Sequence, residues 1–114
     1  MKLVIAIIQP TKLSAVREAL DKIGVMRMTI CDAQESGQQW GRGESYGGQR
    51  RQTILRKIAL EVVVNDDFLD RTIDTIVALA KSGPEGTLGD GNILVLPVDE
   101  TIRIGGTARG PGAV

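Results

Sequence analysis

Residues 2–24 read KLVIAIIQPTKLSAVREALDKIG, and the fold follows from them. Leu3 to Ile8 is a short run rich in Val and Ile, the pattern of a buried strand. Pro10-Thr11 ends the run and opens a helix, with Thr11 expected as its N-cap. Leu13, Val16, Leu20 and Ile23 then recur at helical spacing, and Gly24 fits the C-terminal cap. Val25 to Ala33 reads as a second strand and Ile54 to Val64 as a third. Asn65-Asp66-Asp67 is a helix start with acidic residues in its first turn, and Leu69, Ile73, Ile76, Val77 and Ala80 form the apolar stripe. Lys81-Ser82-Gly83-Pro84 closes that helix. A glycine-rich segment from Gly86 to Asn92 leads into a last strand, Ile93 to Val98, which Thr101 to Ile104 could extend. The order is βαββαβ, so the expected fold is α+β: a ferredoxin-like antiparallel sheet with both helices on one face.

Such a sheet should alternate apolar and polar residues, with one face wet. These strands do not. Leu3, Ile5 and Ile7 point one way while Val4, Ala6 and Ile8 point the other; Ile93 and Val95 likewise oppose Leu94 and Leu96. Two helices cover one face only. The other needs a cover, and a second copy of the chain is the simplest. The alternative cover is the long segment of about residues 35–53, which is too polar to serve well. That segment carries Gly37, Gly41, Gly43, Gly47 and Gly48 with almost no apolar periodicity, and reads as a loop long enough to be functional or disordered. The tail, about 105–114, reads as mobile.

At 114 residues the chain is one domain, with 42% hydrophobic and 25% charged residues. Fourteen Lys+Arg balance fourteen Asp+Glu, which argues against a general nucleic-acid or polybasic membrane binder. There is no His, which removes Ser-His-Asp and Cys-His nucleophiles and every His-containing zinc site. A single Cys, Cys31, forms neither an internal disulfide nor a Cys cluster, so no tightly bound metal is expected; it reads as an inert core or interface thiol. No apolar stretch approaches a membrane span and no targeting segment is visible, so the expected location is a reducing cytoplasm. Asp66, Asp70 and Asp74 read as a hydrated acidic helix face rather than a metal site. No nucleophile–base pair is evident, and an enzyme is not expected.

Two segments remain for binding. Glycines at 86, 89 and 91 allow backbone amides to approach an anion, although the segment runs from helix to strand, unlike the strand-to-helix loops of dinucleotide and P-loop sites, and an ordinary turn is the plainer reading. The long loop offers Gln38, Gln39, Arg42, Glu44, Arg50 and Arg51, with Trp40 and Tyr46 as apolar tips suited to docking on a partner.

Together the residues resemble a family. Lys2-Leu3-Val4, Ile7-Ile8-x-Pro10-x-Lys12-Leu13, Val16-Arg17-Glu18-Ala19-Leu20, Gly24 with Met28-Thr29, Gly89-Asp90-Gly91, Ile93 and Ile102-Arg103-Ile104 are similar to the opening and closing motifs of PII signal-transduction proteins. The resemblance spans nearly the whole chain. It implies a homotrimer that binds adenine nucleotides between subunits and docks a target transporter or enzyme through the long loop, the T-loop. It also implies site residues: Thr29, Gly37, Gln38, Gln39, Leu88, Gly89, Asp90, Gly91, Asn92 and Arg103 for the nucleotide. Trp40, Arg42, Tyr46, Arg50, Arg51 and Lys57 are implied for the partner or a small anionic metabolite.

Three departures set this sequence apart. Gln38 stands where the family has an arginine, Asn92 where it has the lysine after Gly-Asp-Gly, and Gly105 where it has the second arginine of Ile-Arg-Ile-Arg. Losing three cationic contacts penalises the most highly charged nucleotide most, so ADP or AMP is expected to match or exceed ATP. Arg50 or Arg51 swinging in is the compensation still open. The tyrosine uridylylated in some members is also missing, its place falling near Arg51. Without Mg-ATP the 2-oxoglutarate site of other members loses its metal bridge; some divergent PII-like groups respond instead to inorganic carbon, so the resemblance leaves bicarbonate, 2-oxoglutarate or neither open as the second ligand. The alternative is a trimeric structural or metal-responsive protein that has lost nucleotide sensing.

Overall fold

The structure is a computed structural model that describes residues 1–40 and 50–114, with residues 37–40 and 50–53 described by their backbone pairing. Its elements are β1 (Lys2–Ile8), α1 (Leu13–Lys22), β2 (Thr29–Trp40), β3 (Arg50–Val64), α2 (Leu69–Ala80) and β4 (Gly91–Pro97). The four strands form one antiparallel sheet in the order β2-β3-β1-β4, the ferredoxin-like arrangement.

Val4, Ala6 and Ile8 of β1 lie opposite Val62, Leu60 and Ile58 of β3, and this face is buried with Val16 and Leu20 of α1 and Ile76 and Ala80 of α2. The other face carries Leu3, Ile5 and Ile7, paired to β4 as Leu3–Leu96, Ile5–Leu94 and Ile7–Asn92. Leu94 is 47% and Leu96 41% exposed, so this face has no cover within the described residues.

Local chemistry sets the element ends. Pro10 fixes a helical φ and has no N–H to lose, so a 3₁₀ turn, Pro10–Lys12, starts there and runs into α1. Thr11 therefore lies inside that turn and is not the N-cap. At the other end, Gly24 (φ +89°) donates its N–H to the Asp21 carbonyl and Val25 to that of Leu20, at 3.0 and 2.9 Å. This is a Schellman closure. It turns Val25 into the core, so Val25 to Met28 is not strand, and β2 begins only at Thr29.

β2 and β3 continue far past the point where apolar alternation stops. Gln34 to Trp40 pair with Arg56 to Arg50, so part of the expected loop is a two-stranded ribbon. At its base Gln34 to Ser36 and Ile54 to Arg56 are exposed on both faces, with no buried side to impose alternation, and such a stretch reads as loop. In α2, fully buried Thr72 satisfies its hydroxyl on the Phe68 carbonyl at 2.7 Å, whereas Val77 is 44% exposed rather than core.

β4 ends at Pro97, and Thr101 to Ile104 does not extend it. Ile102 bridges instead to Arg109 as the chain folds back. The tail read as mobile is tied down: Gly110 donates to the Thr101 carbonyl (2.8 Å), Arg109 Nε to Glu100 (2.7 Å) and Asn65 Nδ2 to the Pro111 carbonyl (3.2 Å), and Ala113 is buried. Asp66, Asp70 and Asp74 are exposed, as a hydrated face requires. No helix among the described residues is long and apolar enough to cross a membrane.

Candidate functional site

The segment between α2 and β4 is a closed turn built on one carboxylate. Asp90 Oδ2 accepts the backbone N–H groups of Ser82 and Thr87, each at 2.8 Å. Its Oδ1 accepts the Ser82 hydroxyl at 2.7 Å and the Thr87 hydroxyl at 3.2 Å. Thr87 and Asp90 form a capping box around the 3₁₀ turn Leu88–Asp90. The Ser82 and Thr87 amides, with the Ser82 hydroxyl, hold the Asp90 carboxyl down to about 2. A depressed carboxylate contributes stability that is present above its unfolded value and lost as pH falls through the folded one. The turn is therefore expected to stay closed through mild acid and to open only near pH 2. Amide exchange at Ser82 and Thr87 measured against pH checks this; opening near pH 4 would contradict it.

The turn is pinned to the sheet from three sides. Lys57, 5% exposed at mid-β3 and opposite Ala33, donates its Nζ to the Gly89 carbonyl at 2.5 Å. Gln9, at the end of β1, donates Nε2 to the same carbonyl at 3.2 Å and lies 3.3 Å from Asp90 Oδ1. Gly91 has φ +113°, and a Cβ there would lie 1.7 Å from the Ile7 carbonyl oxygen. Only glycine fits.

Leu88, Gly89, Gly91 and Asn92 are all exposed around this turn. Asp90 faces inward, with both oxygens satisfied, so it shapes the turn rather than presenting charge to solvent. The ladder sets Gly37 opposite Thr53, Gln38 opposite Gln52 and Gln39 opposite Arg51, with Trp40 and Arg50 closing it. This ribbon leaves the sheet at the same end as the turn. Arg42 and Tyr46 lie outside the described residues.

Thr29 and Arg103 are elsewhere. Thr29 pairs with Glu61, which lies opposite Ile5 of β1, whereas Gly91 lies opposite Ile8. The two are three strands and three residue levels apart, or about 17 Å at 4.8 Å per strand and 3.3 Å per residue. Arg103 donates its N–H to Ala108, two residues from Thr101, whose hydroxyl reaches Met1 Sδ at 3.3 Å. Arg103 therefore sits at the Met1 end of β1. The glycine turn sits at the Ile8 end, about 20 Å away over the strand's length. The candidate residues thus fall in separate places: Lys57, Gln9 and Gly89–Gly91 gather at the Ile8 end of the sheet with the ribbon base, Arg103 lies toward the Met1 end, and Thr29 lies between those levels on the edge strand β2. Arg103 Nε is buried and finds no partner among the described residues, a donor the folded chain leaves unused. Cys31 is exposed on the open face opposite Ala59, so it is not a core thiol.

A family model described as "Nitrogen regulatory protein P-II" matches residues 1–107. The chain belongs to the P-II family. It is 43% identical over 115 aligned positions to "Nitrogen regulatory protein GlnK1" of Methanosarcina mazei, covering 100% of this chain and 97% of that protein. It is 42% identical to "Nitrogen regulatory protein P-II 2" of Methanothermobacter thermautotrophicus over the same shares. The structure described as that of B. subtilis GlnK superposes with a TM-score of 0.82 at 25% identity, over 99% of this chain and 97% of the other. This P-II protein is a regulatory signalling protein and not an enzyme.

The sequence reading of this P-II protein did not find Gln9, Ser82 or Thr87 as parts of the site. Thr87-x-x-Asp90 is a legible capping-box pattern that would have found Thr87, one of the three. Gln9 has no such signal, because its acceptors lie 80 and 81 residues away.

Proposed function

We propose that this P-II protein is a cytoplasmic sensor of adenine nucleotides, bound between copies in a homotrimer, that regulates a transporter or enzyme through the loop between β2 and β3. The observation that carries the reading is the split of the site. The glycine turn and Lys57 lie at the Ile8 end of the sheet, whereas Arg103 lies toward its Met1 end and Thr29 three strands away from the turn on β2. Groups this far apart meet only when one copy's head approaches the next copy's tail, and such heterologous contacts close into rings. The unused Arg103 Nε is a donor suited to a phosphate oxygen arriving from the neighbouring copy.

The reading extends to ligand choice. Asn92 is exposed beside the turn, and Gly105, two residues from Arg103, brings no charge; Gln38 likewise has no charge to offer. Each missing charge-assisted hydrogen bond is worth about 1.5–3 kcal/mol, and roughly 1.4 kcal/mol is tenfold in affinity. ADP or AMP then binds at least as tightly as Mg-ATP. Bicarbonate, rather than 2-oxoglutarate, takes the space of the terminal phosphate, held by turn amides and arginines.

Calorimetric titration with AMP, ADP and Mg-ATP, each with and without bicarbonate, tests this. The expected result is ADP or AMP binding whose affinity changes with bicarbonate. Mg-ATP binding about tenfold tighter than ADP would refute the preference. Absence of binding by every nucleotide would leave a trimer that has lost sensing as the better account.

A further inference from the structure

We infer that Gln9 is a positioning residue for the glycine turn: its side-chain amide holds the Gly89 carbonyl and the Asp90 carboxylate in place, and so fixes the shape the turn presents to an anion. This rests on the reading of the turn as a phosphate-binding element.

Glycines at 89 and 91 leave the backbone around Asp90 with little intrinsic preference, so contacts rather than sterics set the shape of the turn. Two contacts fix the Gly89 carbonyl oxygen. Lys57 Nζ donates at 2.5 Å and Gln9 Nε2 at 3.2 Å, filling both lone pairs of the Gly89 carbonyl. At the other end of the same peptide, the Asp90 N–H donates to the Thr87 carbonyl at 3.1 Å. Gln9 also ties the plane to its own carboxylate, through Asp90 Oδ1 at 3.3 Å.

The two donors differ in what else they can do. Lys57 is a buried ammonium, and no carboxylate among the described residues lies within ion-pairing distance of it. An arriving anion competes with the neutral carbonyl for its charge. The Gln9 amide is neutral and has no such reason to leave. When a ligand draws Lys57 away, Gln9 is the donor that keeps the carbonyl turned inward. Its contribution is therefore largest in the bound state.

The site of Gln9 suits this task. It directly precedes Pro10, whose ring fixes the chain as it leaves β1, so the amide is carried by a rigid base. It is not part of the apolar core, so its replacement leaves the packing of the sheet against the helices intact.

The test compares Gln9→Met, which keeps the length but removes the donor, with Gln9→Lys, which restores a donor to both acceptors. The readouts are ADP affinity by calorimetry and amide exchange over residues 87–92 with and without ADP. Gln9→Met is expected to weaken ADP binding about tenfold, the effect of one lost hydrogen bond to a site that must be ordered. It should also speed exchange over 87–92, with an unchanged thermal midpoint, and Gln9→Lys should recover both. Wild-type affinity and wild-type exchange in Gln9→Met would overturn the inference. So would failure of Gln9→Lys to restore protection. If the wild-type protein binds no nucleotide, the phosphate reading fails by itself; faster exchange in ligand-free Gln9→Met then still shows Gln9 holding the turn, and unchanged exchange rejects that too.

Discussion

Gly91→Ala is expected to melt roughly 10 °C or more below the wild-type protein. Two effects add at this position. The backbone at φ +113° is strained for any residue with a Cβ, which costs about 1–3 kcal/mol. The new methyl would also sit 1.7 Å from the Ile7 carbonyl oxygen, which is main chain in the middle of the sheet and cannot step aside. Relief requires β4 to separate from β1 at Ile8–Gly91, where the strand begins. A destabilisation of about 3 kcal/mol moves the midpoint of a domain this size by roughly 10–20 °C. Gly89→Ala is the informative comparison. Its φ is not in the positive range, and the nearest atom to its Cβ is Thr87 Oγ1 at 3.9 Å. It should melt within a degree or two of wild type, by the small effect of surface changes, about 0.5 kcal/mol. Differential scanning calorimetry of both decides it; a Gly91→Ala midpoint equal to that of Gly89→Ala would show that the β1–β4 register can shift to make room.

Leu94→Asp is expected to abolish assembly and, with it, nucleotide binding. Leu94 is 47% exposed in the single chain and pairs with Ile5 on the uncovered face, so one protomer tolerates an aspartate there at small cost. A face that packs on another copy does not. An unpaired carboxylate taken out of water costs several kcal/mol per site, and the lost leucine forgoes about 1.5–3 kcal/mol of burial. Light scattering after size exclusion should show the wild type at three times 12.2 kDa and the variant at one. Far-UV circular dichroism should be unchanged, and calorimetry with ADP should be silent, because Thr29 and Arg103 then stay about 17 and 20 Å from the glycine turn. A Leu94→Asp trimer would remove this face from the interface. A monomer that still binds ADP would remove the shared site.

These predictions draw on parts of the molecule that the sequence disclosed unequally. Residues whose burial is periodic were legible: Val4, Ala6 and Ile8 on β1, Val16 and Leu20 on α1, and the pairing of two βαβ halves into one sheet. The apolar second face of β1 and β4 was legible for the same reason, since alternation that fails on both sides points to a missing cover. Local closures were only partly legible. Gly24 announced its cap, but Pro10 starts the turn with Gln9 as its N-cap, which puts Thr11 inside it. Gln34 to Trp40 gave no strand signal, because this ribbon is defined by backbone pairing, to which side-chain periodicity is blind.

The sequence by itself determined the family, the element order, the core and the glycine turn, because each of these is written in residues close together in the chain or repeated at a fixed period. It also supplied Gln38, Asn92 and Gly105 where the resemblance leads one to expect cations, identities that need no geometry. Only the tertiary structure decided that Asp90 turns inward, that Lys57 and Gln9 converge on one carbonyl, and that Thr29 and Arg103 stand far from Gly91. Those facts depend on strand register and on contacts across 32, 80 and 81 residues. Hydrogen bonds of that span cost loop closure that only a completed sheet repays, so no local pattern encodes them.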